Sequence, residues 1–310
     1  MFKRFALLAL IFTVLSALHF TIGTSGVELS AIMPIRLSIY LQYLLIGMVL
    51  SQCGLILQTL MSNPLAEPYI LGVSSGASMG AGLAILLSLT PLIFFRTVFA
   101  LIGASGVSIL IWIISRRASR FSIGIAVLAG VGFNALFSGG IMLIQTLLAP
   151  NELHSSIAWL MGNIDYVGTG EIILIATGAI ICIVFLSQYG KELDIYRSGD
   201  EMAKAVGVDT NILKRRGFFV VSIATACAVS VAGMIGFVGL IVPHIVRMTF
   251  RLTHRTSIIP LFLISSSLLL VSGIVSKRIV YGAVLPVGVI TSIIGAPFFI
   301  YILVKRYRGV

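Results

Sequence analysis

The sequence has few charged residues. Only 10% of its 310 residues are Asp, Glu, Lys or Arg, whereas 58% are hydrophobic. Water-soluble domains carry about 25% charged residues, so a chain this apolar cannot hide its hydrophobic surface in water. Its hydrophobic runs are near the roughly 20 residues that an α-helix needs to cross a bilayer. The sequence therefore predicts an all-α integral membrane protein.

Acidic residues are missing from the interiors of these hydrophobic runs. Glu67 falls in a loop and Glu171 stands at the edge of a run. Carriers driven by proton or sodium gradients usually keep an ionisable side chain inside the membrane. This absence weighs against a secondary transporter. A secondary transporter or channel that is not coupled to ATP remains the alternative function.

Motifs for nucleotide, metal and covalent chemistry are also missing. The sequence has no G-x-x-x-x-G-K-[ST] phosphate loop, so we do not expect this chain to bind ATP through that motif. Cys53, Cys182 and Cys227 lack metal-ligand spacing, and the four histidines do not cluster. We therefore expect no metal, no cofactor and no catalytic residue in this chain, which disfavours a membrane enzyme.

Ten hydrophobic runs are candidate membrane spans. They are Phe5–Ile22, Leu37–Met61, Tyr69–Leu89, Leu92–Ile114, Ser122–Leu148, Thr169–Tyr189, Ile212–Ala232, Gly236–Leu252, Ile258–Ser276 and Pro286–Val304. The first run could pass for a signal peptide, but the many runs after it favour an uncleaved span. We expect residues 1–310 to form a single transmembrane domain.

Basic residues divide unevenly between the two sides of these spans. With the N-terminus in the cytoplasm, 17 of the 21 Lys and Arg residues lie on the cytoplasmic side. Cytoplasmic loops of membrane proteins are enriched in basic residues, and an error of one span would remove the bias. The distribution predicts both termini in the cytoplasm. Membrane topology thus explains the net charge of +11, which gives no reason to expect binding to nucleic acid.

One polar segment, Gly190–Arg216, interrupts the hydrophobic runs with eleven of the 31 charged residues. Ser198 and Glu201 have the spacing of a capping box, which satisfies free amides at a helix start. Gly207 is well placed to end that helix in a left-handed conformation. The segment therefore predicts short helices joined by a tight turn.

The same segment has further features of a folded element. Asp209 or Thr210 can cap the next helix. Met202 and Val206 lie at i and i+4, where two apolar side chains share one helix face. These features favour a folded docking element at the membrane surface over a solvated loop.

Five polar residues inside the spans are candidates for a translocation pathway. Asn134, Ser138 and Gln145 lie close to one face of the fifth span. Ser74 and Ser75 belong to a stretch of small residues in the third span, which permits close helix packing or a polar cavity.

Three sets of motifs follow in the order found in one known family. They are Asn63–Ala66 with Leu71–Ala77, then Gly236–Arg247, then Leu285–Gly288 with Gly295–Phe299. On these motifs the chain resembles the permease family of ABC importers for iron–siderophores, haem and cobalamin. The sequence departs from the family pattern at Met234, where a proline is usual, and at Val284, where an acidic residue is usual.

This resemblance implies a ten-helix subunit that works as a homodimer in the cytoplasmic membrane of a bacterium or archaeon. It implies two separate ATPase subunits, which bind ATP and Mg, and an extracytoplasmic substrate-binding protein. The function implied is ATP-driven import of a large metal chelate by alternating access. The motifs do not separate siderophore, haem and cobalamin.

The resemblance also assigns roles to named residues. Segment 190–216 corresponds to the coupling helices, with the ATPase contact at Ser198, Glu201, Met202, Ala205, Val206, Gly207 and Val208. Arg36, Lys277 and Arg278 are candidates for docking the binding protein. The alternative for these three basic residues is that they extend to lipid headgroups.

The charge distribution makes a topology prediction. In a background without native cysteines, single cysteines at Ser198 and Val284 are expected to react from opposite sides of the membrane. The measurement is labelling of sealed cells with an impermeant maleimide. Labelling of the Ser198 position from outside would overturn the predicted orientation.

Overall fold

Twelve α-helices make up most of the computed structural model, which describes residues 2–21, 29–116, 122–279 and 284–307. The helices are α1 Phe2–Thr21, α2 Leu29–Leu60, α3 Val73–Leu86, α4 Leu92–Arg116, α5 Ile123–Leu147, α6 Pro150–Leu160, α7 Thr169–Tyr196, α8 Asp200–Ala205, α9 Thr210–Ala232, α10 Val238–Phe250, α11 Ile258–Ser276 and α12 Val287–Tyr307. A short 3-10 turn at Pro68–Leu71 precedes α3.

Each of the ten predicted spans corresponds to one helix. Seven helices within the described ranges are long and apolar enough to cross a membrane: α1, α2, α4, α5, α7, α9 and α11. The apolar stretches of α3, α10 and α12 are shorter. The predicted all-α membrane fold is confirmed. Helix α6, between α5 and α7, was not predicted because it is too short and polar to count as a span.

Helix α2 runs through the middle of the bundle, where it contacts α7, α9, α10 and α11. Its side chains Val49, Cys53 and Ile56 are fully buried. The closest approach is to α10, where a Cβ at Gly54 would overlap the carbonyl oxygen of Gly239. Gln58 fixes the same contact, because its amide donates a 3.1 Å hydrogen bond to that carbonyl. Glycine at position 54 is therefore required by backbone-to-backbone packing.

Helix α7 ends later than the sequence predicts. The sixth span was expected to end at Tyr189, but the helix continues to Tyr196. The reason is that Leu193 and Tyr196 are buried and extend the packed apolar face of the helix into the polar segment. Segment 190–216 thus comprises the end of α7, the short helix α8 and the start of α9, rather than two short helices.

The contact between α2 and α10 makes a stability prediction. Gly54→Ala should lower stability by about 1–3 kcal/mol, because the added methyl group forces the two backbones apart. The measurement is the thermal unfolding midpoint of the purified protein in detergent. Gly106→Ala in α4 is the matched control, since a Cβ there meets nothing within 4 Å. An equal midpoint for both variants would contradict the packing role of Gly54.

Candidate functional site

The five residues predicted to line a pathway surround one cavity of about 520 Å³. Ser74 and Ser75 come from the first turn of α3, and Asn134, Ser138 and Gln145 come from α5. The other lining residues are Tyr69, Ile70, Ser78, Ile141, Met142, Leu160 and Met234. The structure thus brings together residues that are far apart in the sequence.

Small residues allow α3 to present its serines to this cavity. A Cβ at Gly80 would overlap the carbonyl oxygen of Phe99 on α4, so the two helix backbones are in contact. Helix α3 also packs against α5, which carries the facing amide side chains. One stretch of small residues therefore packs closely on one side of α3 and contributes serine hydroxyls to the cavity on another.

The chain is not helical between α9 and α10, over Gly233–Phe237, and this break forms a further part of the cavity wall. Gly233 and Phe237 both have positive φ, at 70° and 68°, and Met234 between them lines the cavity. The hydroxyl of Tyr69 donates to the Ile235 carbonyl and accepts from the Ile235 amide, each at 3.0 Å. This break falls in the gap between the seventh and eighth predicted spans, Ile212–Ala232 and Gly236–Leu252.

A carboxylate holds the other end of this break. Glu67 accepts a 2.7 Å hydrogen bond from the amide of Phe237, which is the residue that precedes α10. A carboxylate at that position is also favoured by the positive end of the helix dipole. Sequence reasoning missed the roles of Glu67 and Tyr69. Their partners lie more than 160 residues away, as 170 and 166 residues separate the pairs.

The cavity lining determines what the site can do. Its polar groups are hydroxyls, amides and backbone, and no charged side chain belongs to the lining identified within the described residues. The volume falls in the range of about 300–1,000 Å³ that is typical of ligand pockets. Such a surface can contact a bulky ligand without holding it through strong ion pairs.

The three predicted docking residues differ in their exposure. Arg36 is only 9% exposed, and its guanidinium donates to the carbonyls of His19 and Phe20 at the end of α1. The last carbonyls of a helix lack partners within that helix, which makes a cation favourable there. Arg36 is therefore engaged at the end of α1, and the docking role of the three basic residues stays a prediction. Lys277 and Arg278 are exposed after α11.

The predicted capping box of α8 is wrong. The helix begins at Asp200, and its N-cap is Gly199 with φ at 116°, so the Ser198 side chain does not cap it. The sharp turn from α7 into α8 requires this positive φ, which favours glycine over serine. Glu201 then lies one position too early for a box and pairs with Lys204 at 3.3 Å.

An acidic residue connects α8 to α9. Asp200 forms ion pairs with Lys204 at 2.5 Å and with Lys214 at 2.7 Å. The Lys204 and Lys214 ammonium groups hold the pKa of Asp200 well below its usual range. The carboxylate is therefore charged at neutral pH, and the link from α8 to the first turns of α9 persists there.

The predicted end of α8 and start of α9 are confirmed. Gly207 has φ at 93°, and the Asp209 carboxylate accepts from the amides of Asn211 and Ile212 at 3.0 and 2.9 Å. Ala203 is fully buried and anchors α8 on the bundle.

The outer face of α8 and of its C-cap is exposed. Met202 and Val206 are 60% and 66% exposed. Ser198, Glu201, Ala205 and Gly207 are also exposed, whereas Val208 packs against the core. The short helix and its C-cap thus present an exposed apolar pair.

A histidine that the sequence left unassigned connects three elements near α8. His254 is 3% exposed, and its Nδ1 lies 2.5 Å from the Asp194 carboxylate at the end of α7. Its Nε2 lies 2.8 Å from the hydroxyl of Thr59 at the end of α2. Asp194 also accepts from the His254 amide at 3.1 Å. The loop between α10 and α11 is thereby fixed to α2 and α7.

A bundle of helices long enough to cross a membrane, with an open cavity beside α3 and α5 and an exposed short helix α8, is the arrangement expected of a transport subunit. The model of the FecCD transport family matches residues 5–305. The protein belongs to that family and is a multi-pass transmembrane permease subunit of an ABC transporter. The family resemblance and the function class expected from the motifs are confirmed.

Several curated relatives cover most of the chain. It is 34% identical over 278 residues to the hemin transport system permease protein of Yersinia pestis, covering 88% of this chain and 82% of that one. It is 32% identical over 292 residues to the iron(3+)-hydroxamate import system permease protein of Bacillus subtilis, covering 91% and 86%.

A solved structure shares the fold. It is the inward-facing conformation of an ABC transporter assigned to the metal-chelate type, with a TM-score of 0.88 and 26% identity. The match covers 98% of this chain and 100% of the other.

The buried histidine makes a second stability prediction. His254→Ala should cost about 1–3 kcal/mol, because Asp194 and Thr59 lose a hydrogen-bond partner in a largely buried site. His154→Ala is the control, since His154 is exposed. The unfolding midpoints of both purified variants in detergent provide the measurement. Equal midpoints would show that the loop is held by other contacts.

Proposed function

We propose that this protein imports a large metal chelate across the cytoplasmic membrane of a bacterium or archaeon, driven by ATP. The observation that carries the proposal is the open cavity between α3, α5 and the α9–α10 break, which is largely apolar and carries uncharged hydroxyl and amide groups. Its volume of about 520 Å³ and its hydroxyl and amide lining suit a bulky chelate that must be released after transport. The names of the hemin and hydroxamate relatives support this substrate class.

The translocation role of the five polar residues follows from their position. Ser74, Ser75, Asn134, Ser138 and Gln145 offer hydrogen bonds that are weak enough to break during each cycle. One wall of the cavity, α5, is largely exposed, with Leu136 and Leu143 at 65% and 64%. In our proposal, a second copy of the chain covers this apolar surface and completes the pathway as a homodimer.

Coupling to ATP is proposed to pass through α8. The exposed pair Met202 and Val206 offers an apolar contact to each of two separate ATPase subunits, which bind ATP and Mg. Asp200 connects α8 to Lys214 on α9 at 2.7 Å. Helix α9 has 23 residues and extends roughly 35 Å from α8 to the break at Gly233.

This arrangement converts a movement of α8 into a change at the cavity wall. When ATP closes the ATPase dimer, α8 moves with it and α9 shifts as a rigid rod. The break then displaces Met234, and the cavity opens alternately to the two sides of the membrane. On the outer side, exposed Lys277 and Arg278 are the remaining candidates for docking an extracytoplasmic binding protein.

Uptake into proteoliposomes tests both the function and the coupling path. The permease is assembled with its ATPase and binding protein, and uptake of a ferric hydroxamate, hemin or cobalamin is measured with and without ATP. We expect ATP-dependent uptake of one of them. Uptake of the same chelate without the ATPase would overturn the proposal in favour of a secondary transporter.

A substitution at Gly207 tests the coupling path through α8 in the same assay. Gly207→Val places a β-branched residue at a φ of 93°, which costs more than the roughly 1–2 kcal/mol of an ordinary left-handed residue. We expect normal membrane insertion and loss of at least about nine-tenths of the uptake, a tenfold effect. Gly207→Asn is the control, because asparagine tolerates a left-handed conformation. Full uptake by the valine variant would exclude α8 from coupling.

A further inference from the structure

A groove of about 450 Å³ lies between α7 and α9, away from the polar cavity. Its lining is Ile180, Ile181, Val184, Phe185, Gln188 and Tyr189 from α7, and Arg216, Phe219 and Val220 from α9. Ile180 and Val184 are 58% and 46% exposed. Because both helices are long and apolar enough to cross a membrane, we expect this exposed groove to face the hydrocarbon of the bilayer.

The length of the groove matches one leaflet. The lining residues of α7 run from Ile180 to Tyr189, a rise of roughly 14 Å along the helix. The hydrocarbon core of a bilayer is about 30 Å thick, so one leaflet occupies about half of it. The groove therefore has the length and the apolar lining to hold an acyl chain.

A cation stands at the end of the groove that is nearer to α8. The Arg216 guanidinium lies 5.2 Å from the centre of the Tyr189 ring and is exposed. Among the residues that the structure describes, no carboxylate forms an ion pair with it. The guanidinium is held over an aromatic ring and keeps its hydrogen-bond donors available.

Aromatic contacts bring a second guanidinium to the same region. Phe219 of the groove contacts Trp112 of α4, with 5.6 Å between ring centres. Arg116 lies 5.0 Å from the centre of that Trp112 ring. Tyrosine and tryptophan are enriched at membrane–water interfaces, so this end of the groove has the composition of the headgroup region.

We propose that this groove binds an anionic phospholipid of the phosphatidylglycerol type, with its acyl chain along α7 and its phosphate at Arg216. Guanidinium groups bind phosphate through paired, charge-assisted hydrogen bonds. Basic pockets between transmembrane helices on the cytoplasmic side are a known setting for anionic headgroups. The leaflet is the one on the α8 side. The inference does not depend on which substrate the protein transports.

The headgroup arm of the test compares two adjacent arginines. The full chain is purified in detergent and titrated with dioleoyl phosphatidylglycerol or dioleoyl phosphatidylcholine, and bound lipid is counted by native mass spectrometry. We expect tighter binding of phosphatidylglycerol and about fivefold weaker binding in Arg216→Gln. Arg215→Gln is the matched control, because Arg215 is also exposed but does not line the groove. Equal effects of the two variants would overturn the site.

The acyl-chain arm compares two positions on α7. Val184→Trp fills the groove and should prevent binding of phosphatidylglycerol, whereas Ile173→Trp should not. Ile173 is 60% exposed on the same helix and does not line the groove. If both variants keep the lipid, no acyl chain lies in the groove.

Two other occupants are tested in the same preparation. If inorganic phosphate displaces phosphatidylglycerol from the wild-type chain and Val184→Trp still binds phosphatidylglycerol, the site recognises phosphate alone and the proposal fails. Val184→Cys in a background without native cysteines, treated with copper phenanthroline, tests for a second copy. We expect no dimer on a non-reducing gel, and a cross-linked dimer would assign the groove to a protein interface.

Discussion

Backbone groups that are freed inside a membrane protein must be paired by the protein itself, because hydrocarbon offers no hydrogen bonds. The break between α9 and α10 is where this constraint determines the structure. The Tyr69 hydroxyl pairs both backbone groups of Ile235, and the Glu67 carboxylate pairs the amide of Phe237. Without these two side chains, a bend in that position would leave unpaired groups in an apolar environment.

The position of the break connects the two parts of the proposed mechanism. On one side it contributes Met234 to the cavity that α3 and α5 line with polar groups. On the other side, α9 extends to the ion pair between Lys214 and Asp200 on α8. A helix that is rigid along its length and pinned at its far end is suited to transmit a displacement. The same helix carries Arg216, so the proposed lipid contact lies beside this path.

Much of the fold could be predicted because its signals are local. Hydrophobic runs mark each span, and the positive φ of Gly207 and the cap at Asp209 follow from residues within a few positions of each other. The polar face of α5 was also predictable, since one helix fixes the relative directions of Asn134 and Ser138. The capping box at Ser198 failed because the required turn at Gly199 takes precedence over the preferred cap.

The sequence by itself determined the membrane class, the helices, the family and the polar residues of α3 and α5. These follow from composition, periodicity and motifs, which depend on neighbours along the chain. Only the tertiary structure decided that Arg36 is buried at the end of α1 and that His254 meets Asp194 and Thr59. It also decided that Glu67 and Tyr69 hold the break. The reason is that burial and hydrogen-bond partners arise from helix packing, which brings together residues 16 to 195 positions apart.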